Sequence, residues 1–400
     1  MPALAERLNR VEVAPSVAMT VKARELRAAG KPVITLTTGE PDFASPPHAI
    51  EAAHQAALAG DTKYPPQDGT RALKLAIQAK FKRDNGLDYA LDEISVSNGG
   101  KQCLFNALMA TVDPGDEVVI PVPSWIAYAQ MTTIAEGRPV FVTCPQNNGF
   151  KPRPEDIDAA ITPRTKWLVL NNPNNPTGAC CSAEELAAIA EVMRRHPHVW
   201  ILSDDMYEHL VFDGFKHATI AHVAPDLKDR TLTVSGVSKT YAMTGWRIGF
   251  AGGPKQLIKA MVNMQGQATA GVSTVGQAAA AAALNGPQDG VQEQIDAYKR
   301  RRDMAVAMLN ASPGISCHKP EGAFYVFPNV AGCLGKTTAG GRKLQTDQDV
   351  CLALLEEHYV ATVHGAAYHM SPYLRISTAT ADAELEEGLR RVQTFCEGLH

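Results

Sequence analysis

Between residues 45 and 290 the spacing of apolar positions switches repeatedly between a helical period and short, nearly continuous apolar runs. HAIEAAHQAALAG (48–60) and GTRALKLAIQAKFKRDNG (69–86) carry apolar residues three and four apart, which predicts helices. Ser45-Pro46-Pro47 supplies a cap and early prolines for the first, and Gly60 and Gly86 close the two. The strand-like runs are EVVIPVP (117–123), PVFVTC (139–144), KWLVLNNP (166–173), VWILSDD (199–205), RTLTVSGVS (230–238) and RIGFAGG (247–253). Several are apolar throughout and stop in polar, glycine or proline residues. Strands buried on both faces of a parallel sheet look like this, with function gathered at their carboxyl ends. The pattern predicts an α/β protein with a mainly parallel central sheet.

After residue 290 the pattern changes. A charged helix, QEQIDAYKRRRDMAVAMLN, precedes short strands in EGAFYVFP, YVATVHG and YLRISTA, and a last helix, ADAELEEGLRRVQTFCEGL. The expected organisation is a large domain over 45–290 and a smaller α+β domain built from 1–44 and 291–400. The stretch GCLGKTTAGGRKLQTD (332–347) is the expected mobile loop. The alanine run at 278–283 reads as a buried helix.

Composition narrows the function classes. The chain has 400 residues, 45% hydrophobic and 20% charged, with a formal net charge of −4. Its charges are mixed, so no basic arm for nucleic acid and no membrane-surface patch is expected. The N-terminus lacks the apolar core of a secretory signal, and no run reaches the roughly 18 apolar residues of a membrane span. Eight cysteines without a C-x-x-C pair fit neither a disulfide framework nor a zinc ribbon, so a reducing cytoplasm and no metal are expected.

Four clusters carry candidate chemistry. Lys239 follows a strand in the small-residue turn SGVSKTYAMTGWRIG (235–249), where desolvation and nearby positive charge would lower its pKa and make its amine a nucleophile. Arg247 offers a planar fork for a phosphate. A surface lysine capping a turn fits the same residues. NNPNNPTG (171–178) places amides at a strand end, although a turn alone would account for any one of them. In SDDMYEH (203–209), Asp204 at a strand end could pair with a pyridinium nitrogen and Tyr207 with a phenolic oxygen. An Asp-Asp pair also suits a metal, but no further ligands are near. SNGGKQ (97–102) joins a strand to a helix, so its glycines expose backbone N–H groups to an anion.

These clusters, in this order, resemble the class I aminotransferases of pyridoxal-phosphate fold type I, in particular the bacterial aspartate aminotransferase subgroup. TTGEPDF (37–43), KYPPQDG (63–69), EGAFYVFP (321–328) and LRIS (374–377) extend the resemblance over essentially the whole chain. It implies pyridoxal 5′-phosphate as cofactor, with Lys239 as the Schiff-base lysine and Asp204 on the pyridine nitrogen. Tyr207 and Asn175 would bond the cofactor's O3′, and Trp125 would lie on its ring. Gly99, Gly100, Lys101, Ser238 and Arg247 would hold the phosphate. Arg375 would clamp the substrate α-carboxylate, with Gly39, Asn175 and Trp125 around it. Tyr64 would reach the phosphate of a second subunit, which implies a homodimer.

Ser124 and Thr378 depart from the family's frequent tyrosines. Gly236 replaces a serine whose phosphate contact falls to Ser235 or Ser238. The implied reaction is ping-pong transamination, with L-aspartate and 2-oxoglutarate giving oxaloacetate and L-glutamate. No arginine or lysine is assigned to the distal substrate carboxylate. An aromatic or prephenate-type aminotransferase is therefore the alternative, followed by a lyase or decarboxylase on the same scaffold.

Overall fold

The computed structural model describes residues 5–11 and 15–400, and leaves aside the side chains of 15–18 and 20. Its strands are β1 (Ile34–Thr35), β2 (Ile94–Ser97), β3 (Glu117–Val122), β4 (Arg138–Thr143), β5 (Thr165–Asn171), β6 (Trp200–Asp204), β7 (Thr231–Gly236), β8 (Gly249–Gly252), β9 (Tyr325–Val326), β10 (Val360–Ala361), β11 (Val363–His364) and β12 (Leu374–Ser377). Strands β2 to β8 form one sheet in the order β2-β8-β7-β6-β5-β3-β4. All neighbours are parallel except β8, which runs antiparallel to both β2 and β7.

Side chains leave a strand alternately to its two faces, and here both faces are covered. Val118, Ile120 and Val122 of β3 pack with Leu104, Met131 and Leu257 from helices on one side. Val119 points the other way, onto Ile157, Leu186 and Ile189. Burying a side chain of this size stabilises by about 1.5–3 kcal/mol, which is why β3 is apolar from Val118 to Val122. The expected strand at 139–144 is instead the sheet's edge, and Phe141 is 41% exposed there. Its ring stacks on His369 at 4.1 Å.

The helices follow their sequence signals with one exception. Thr70 accepts from the Leu73 N–H to start Arg71–Asn85, and Gly86 ends it in the left-handed conformation with φ 64°. Helix Pro47–Leu58 has no side-chain cap from Ser45. That hydroxyl donates to the Ala242 carbonyl and accepts from Trp246 Nε1. Long-range bonding has taken the group that a local cap would have used. In helix Thr274–Asn285 the alanines Ala279, Ala280 and Ala283 are fully buried beside Ala49 and Ile77. Short side chains let these helix axes come close.

A second core joins both ends of the chain. Met19, Ala23, Ile34 and Leu36 pack with Leu354, Leu374 and Leu389. Here β1 pairs with β10, while β12 lies between β11 and β9. The segment 359–365, expected as one strand, is split at Thr362 because its halves pair with different partners. Helix Asp289–Asn310 spans the two regions: Ile295 and Tyr298 pack around Phe324, and Ala305 and Leu309 enter the second core. The segment 332–347, expected as a loose loop, is closed by Gly335 N–H to the Leu344 carbonyl (2.8 Å) and Leu344 N–H to the Lys336 carbonyl (2.9 Å). Leu344 is fully buried. Among the described residues, no helix is long and apolar enough to cross a membrane.

Candidate active site

One rim of the large sheet carries the chemistry. Strands β2, β3, β5, β6 and β7 all end there. Because β8 is antiparallel, its start lies at the same rim, with Gly249 opposite both Ser97 and Gly236. Arg247, two residues before Gly249, therefore meets the first turn of helix Gly100–Thr111. A cavity of about 580 Å³ opens at this rim and is walled on its far side by Thr37–Glu40, Tyr325 and Arg375.

The helix start is a cradle that only glycine permits. Gly99 has φ 85°, and a Cβ on it would overlap the Arg247 guanidinium. A Cβ on Gly249 would run into the Gly100 backbone. The start of this helix at Gly100, with Arg247, Ser238 and Lys101, thus lines the cavity, which suits an anion. Burial and the Arg247 charge both lower the Lys101 pKa. The Lys101 ammonium lies 4.8 Å from the Trp125 ring centre, and Trp125 meets Tyr128 edge-on at 5.5 Å.

Asp204, the last residue of β6, is a buried acid that lacks a cation. Its carboxylate accepts from the Tyr128 hydroxyl at 2.7 Å and the Met206 N–H at 3.2 Å. No lysine, arginine or histidine pairs with it among the described residues. Burial raises its pKa to about 6. On β5 the neighbouring Asn171 donates to the Asp204 carbonyl at 3.0 Å. Its oxygen accepts from the Asn175 N–H at 2.8 Å, so the proline-flanked loop is held to β6.

Lys239 lines the same cavity as Asp204 and donates to the Gly39 carbonyl. Desolvation first, then the Arg375 charge, lowers its pKa to about 8. Its Nζ is 5.9 Å from the centre of the Tyr207 ring, whose hydroxyl is 2.9 Å from that of Tyr325. Arg375 comes from β12 in the second core. It donates to Asn175 Oδ1 at 3.2 Å and to the Thr37 carbonyl at 2.5 Å. Tyr325 and Tyr368 cover its faces at 4.7 and 5.2 Å. Its Nε is buried without a hydrogen-bond partner, and no carboxylate neutralises it among the described residues.

Two sequence candidates stand apart. The Ser235 hydroxyl donates to Glu208 at 2.6 Å and does not line the cavity, whereas Ser238 does. Successive strand positions face opposite ways, so Ser235 on β7 is turned into a buried polar layer. Tyr64 is 95% exposed, beside Lys63 and Gly271, away from this chain's own cavity. Sequence reading missed Tyr128, Tyr325 and Tyr368. Tyr128 and Tyr325 gain meaning from partners 76 and 118 residues away, and Tyr368 from Arg375 across a turn that ends in β12.

These features fit pyridoxal phosphate. The cradle takes a dianion, the lone carboxylate a protonated ring nitrogen, and the desolvated amine an aldehyde. Arg375 brings an uncompensated guanidinium to the same cavity.

A family model for aminotransferase class I and II matches residues 31–392. An aspartate aminotransferase from Rhizobium meliloti is 53% identical over 395 residues, covering 99% of this chain and 96% of that protein. An aspartate/prephenate aminotransferase from Cereibacter sphaeroides is 53% identical over 399 residues, with full coverage of both. A solved aspartate aminotransferase from Rhizobium meliloti superposes with a TM-score of 0.98 at 52% identity, covering all of both chains. One from Thermus thermophilus, solved with maleate, gives 0.92 at 39% identity, covering 99% of this chain and all of that one. The mostly parallel seven-stranded sheet flanked by helices is that of fold type I. By sequence, by fold and by the arrangement at the sheet rim, this chain belongs to the class I and II aminotransferases.

Proposed function

We propose that this aminotransferase uses pyridoxal 5′-phosphate, held covalently through Lys239, to move an amino group between L-aspartate and 2-oxoglutarate. The observation that carries the reading is the desolvated Lys239 amine sharing one cavity with the cation-free Asp204 carboxylate. Bound pyridoxal phosphate supplies a carbonyl that exchanges amino groups and a ring that stores the electron pair released at the substrate Cα. Asp204 holds a proton on the ring nitrogen, and Tyr207 with Asn175 bonds the ring oxygen. The cradle of Gly99, Gly100, Lys101, Ser238 and Arg247 fixes the phosphate. Arg375 clamps the substrate α-carboxylate and so aims the Cα–H bond at Lys239. The free Lys239 Nζ would take that proton and hand it back at the carbon on the other side of the substrate nitrogen. A depressed pKa suits an amine that works as a base near neutral pH.

The dicarboxylate substrate is supported by relatives named for aspartate and by the dicarboxylate maleate with which the Thermus thermophilus aspartate aminotransferase was solved. Prephenate as a second amino acceptor is favoured by the name of the Cereibacter sphaeroides relative. We assign Tyr64 to the site of a second copy, a homodimer reading supported by its exposure away from its own cavity. The division into 45–290 and the two chain ends is supported by the separate hydrophobic cores. A reducing cytoplasm accords with eight free cysteines.

Initial rates with aspartate and 2-oxoglutarate varied together test the reading. Parallel double-reciprocal lines are expected, and intersecting lines refute the two-stage exchange. Comparing kcat/KM for aspartate, phenylalanine and tyrosine decides the donor. A preference of about a hundredfold for phenylalanine overturns aspartate.

A further inference from the structure

Two residues directly after Tyr207 grip both sides of the turn that carries Lys239. Glu208 accepts from Ser235 Oγ at 2.6 Å, four positions before Lys239. His209 Nδ1 lies 3.1 Å from Thr240 Oγ1, one position after it. Both residues also reach helix Arg71–Asn85. Glu208 pairs with Lys80 and accepts from Asn85 Nδ2 at 2.6 Å, and His209 Nε2 lies 3.1 Å from Asp84 Oδ2. None of these groups lines the cavity. Lys80 is 1% exposed and Glu208 4%.

A buried ion pair is a poor way to gain stability, because apolar side chains of similar volume do as well or better. Directional bonds do something that apolar contacts cannot. They hold two loops at one separation and one angle. Here the two loops are those that present the Tyr207 hydroxyl and the Lys239 amine.

We propose that Glu208 and His209, anchored by Lys80, Asp84 and Asn85, form a positioning clasp that sets the spacing between Tyr207 and Lys239. The clasp thereby tunes the basicity of the linkage between Lys239 and the cofactor. It rests on the reading that Lys239 carries pyridoxal phosphate. Arg375, Glu40, Arg247 and Asp204 also bear electrostatically on Lys239 and belong to other parts of the cavity.

The test is a pH titration of the visible absorbance band of the holoenzyme, parent against Glu208→Gln. The band is expected to remain, with its midpoint displaced by about half a pH unit and in any case more than about 0.2. Turnover is expected to fall about tenfold, with KM for the amino donor within about twofold of parent, because misaligned proton transfer slows chemistry more than binding. A midpoint displaced by less than about 0.2 unit overturns the clasp, even if the melting temperature falls. If Glu208→Gln does not fold, Ser235→Ala/Thr240→Val severs both links to the turn while leaving the Lys80 pair intact, and the same limits apply. A parent holoenzyme without any such band would strike the cofactor reading instead.

Discussion

Asp204 and Glu208 are buried carboxylates four residues apart, one at the end of β6 and one just beyond it, and their surroundings drive them in opposite directions. Desolvation raises the Asp204 pKa to about 6, and two neutral donors do not offset it. Desolvation acts on Glu208 as well, but the Lys80 ammonium, helped by His209 and His217, outweighs it and holds the carboxyl well below its ordinary range. Beneath the rim the fold supplies the cation itself. Inside the cavity it leaves the acid unpaired, which under the proposed function suits a cation brought by a ligand. Arg375, lining the same cavity, is the converse case: a buried cation with an unpartnered Nε and no acid paired with it among the described residues. An unpaired buried charge costs free energy, and in this molecule both such charges line the cavity at the sheet rim.

The contrast can be broken most severely at Lys239. Lys239→Ala removes both the covalent anchor and the proton carrier, so transamination is expected to fall by about 10⁴-fold or more, together with loss of the visible band. Retained turnover with a retained band would disprove the assignment. Next comes the layer beneath the rim. Lys80→Met leaves Glu208 buried without its cation and is expected to destabilise by about 3–5 kcal/mol. Lys80→Met/Glu208→Leu is expected to recover most of that loss in denaturant unfolding. A double variant no more stable than the single one would show that the pair is not the controlling feature.

The smallest effect belongs to Asp204 and concerns pH. Its folded pKa lies above the unfolded value of 3.8, so folding favours the protonated form. Without cofactor, stability from this group is expected to fall as pH rises from about 4 to about 6, by about 3 kcal/mol for a shift of about two units. Asp204→Asn should abolish that slope in thermal melts of the cofactor-free protein. Saturating pyridoxal phosphate should flatten it in the parent. Glu208 has the opposite sign: its contribution is full above the ordinary carboxylate range and is lost only as acid protonates it. A slope that survives Asp204→Asn would assign the effect to another group.

Ser235 shows where reading along the chain gave way to packing. Its place in the turn before Lys239 suggested a phosphate contact, yet its hydroxyl belongs to the Glu208 layer. Ser45 departs in the same way, since its hydroxyl is taken up by Ala242 and Trp246 instead of a helix end. In both cases local spacing described the residue correctly and a distant partner decided its use.

Local order was legible in the sequence because it depends on neighbours along the chain. Apolar periodicity located the strands of the large sheet and most helices. The polar endings of those strands marked Asp204, Asn175 and Lys239, since a buried parallel strand can expose function only at its tip. The reversal of one strand, β8, and long-range register were not legible. Whether β8 runs parallel or antiparallel depends on which strands lie beside it, and that choice brings Arg247 to the rim. Tyr128 on Asp204, Arg375 on Asn175 and Glu208 on Lys80 join residues 76, 200 and 128 positions apart. Local periodicity does not encode such separations. They arise when both faces of the sheet are covered and the two ends of the chain close over its rim.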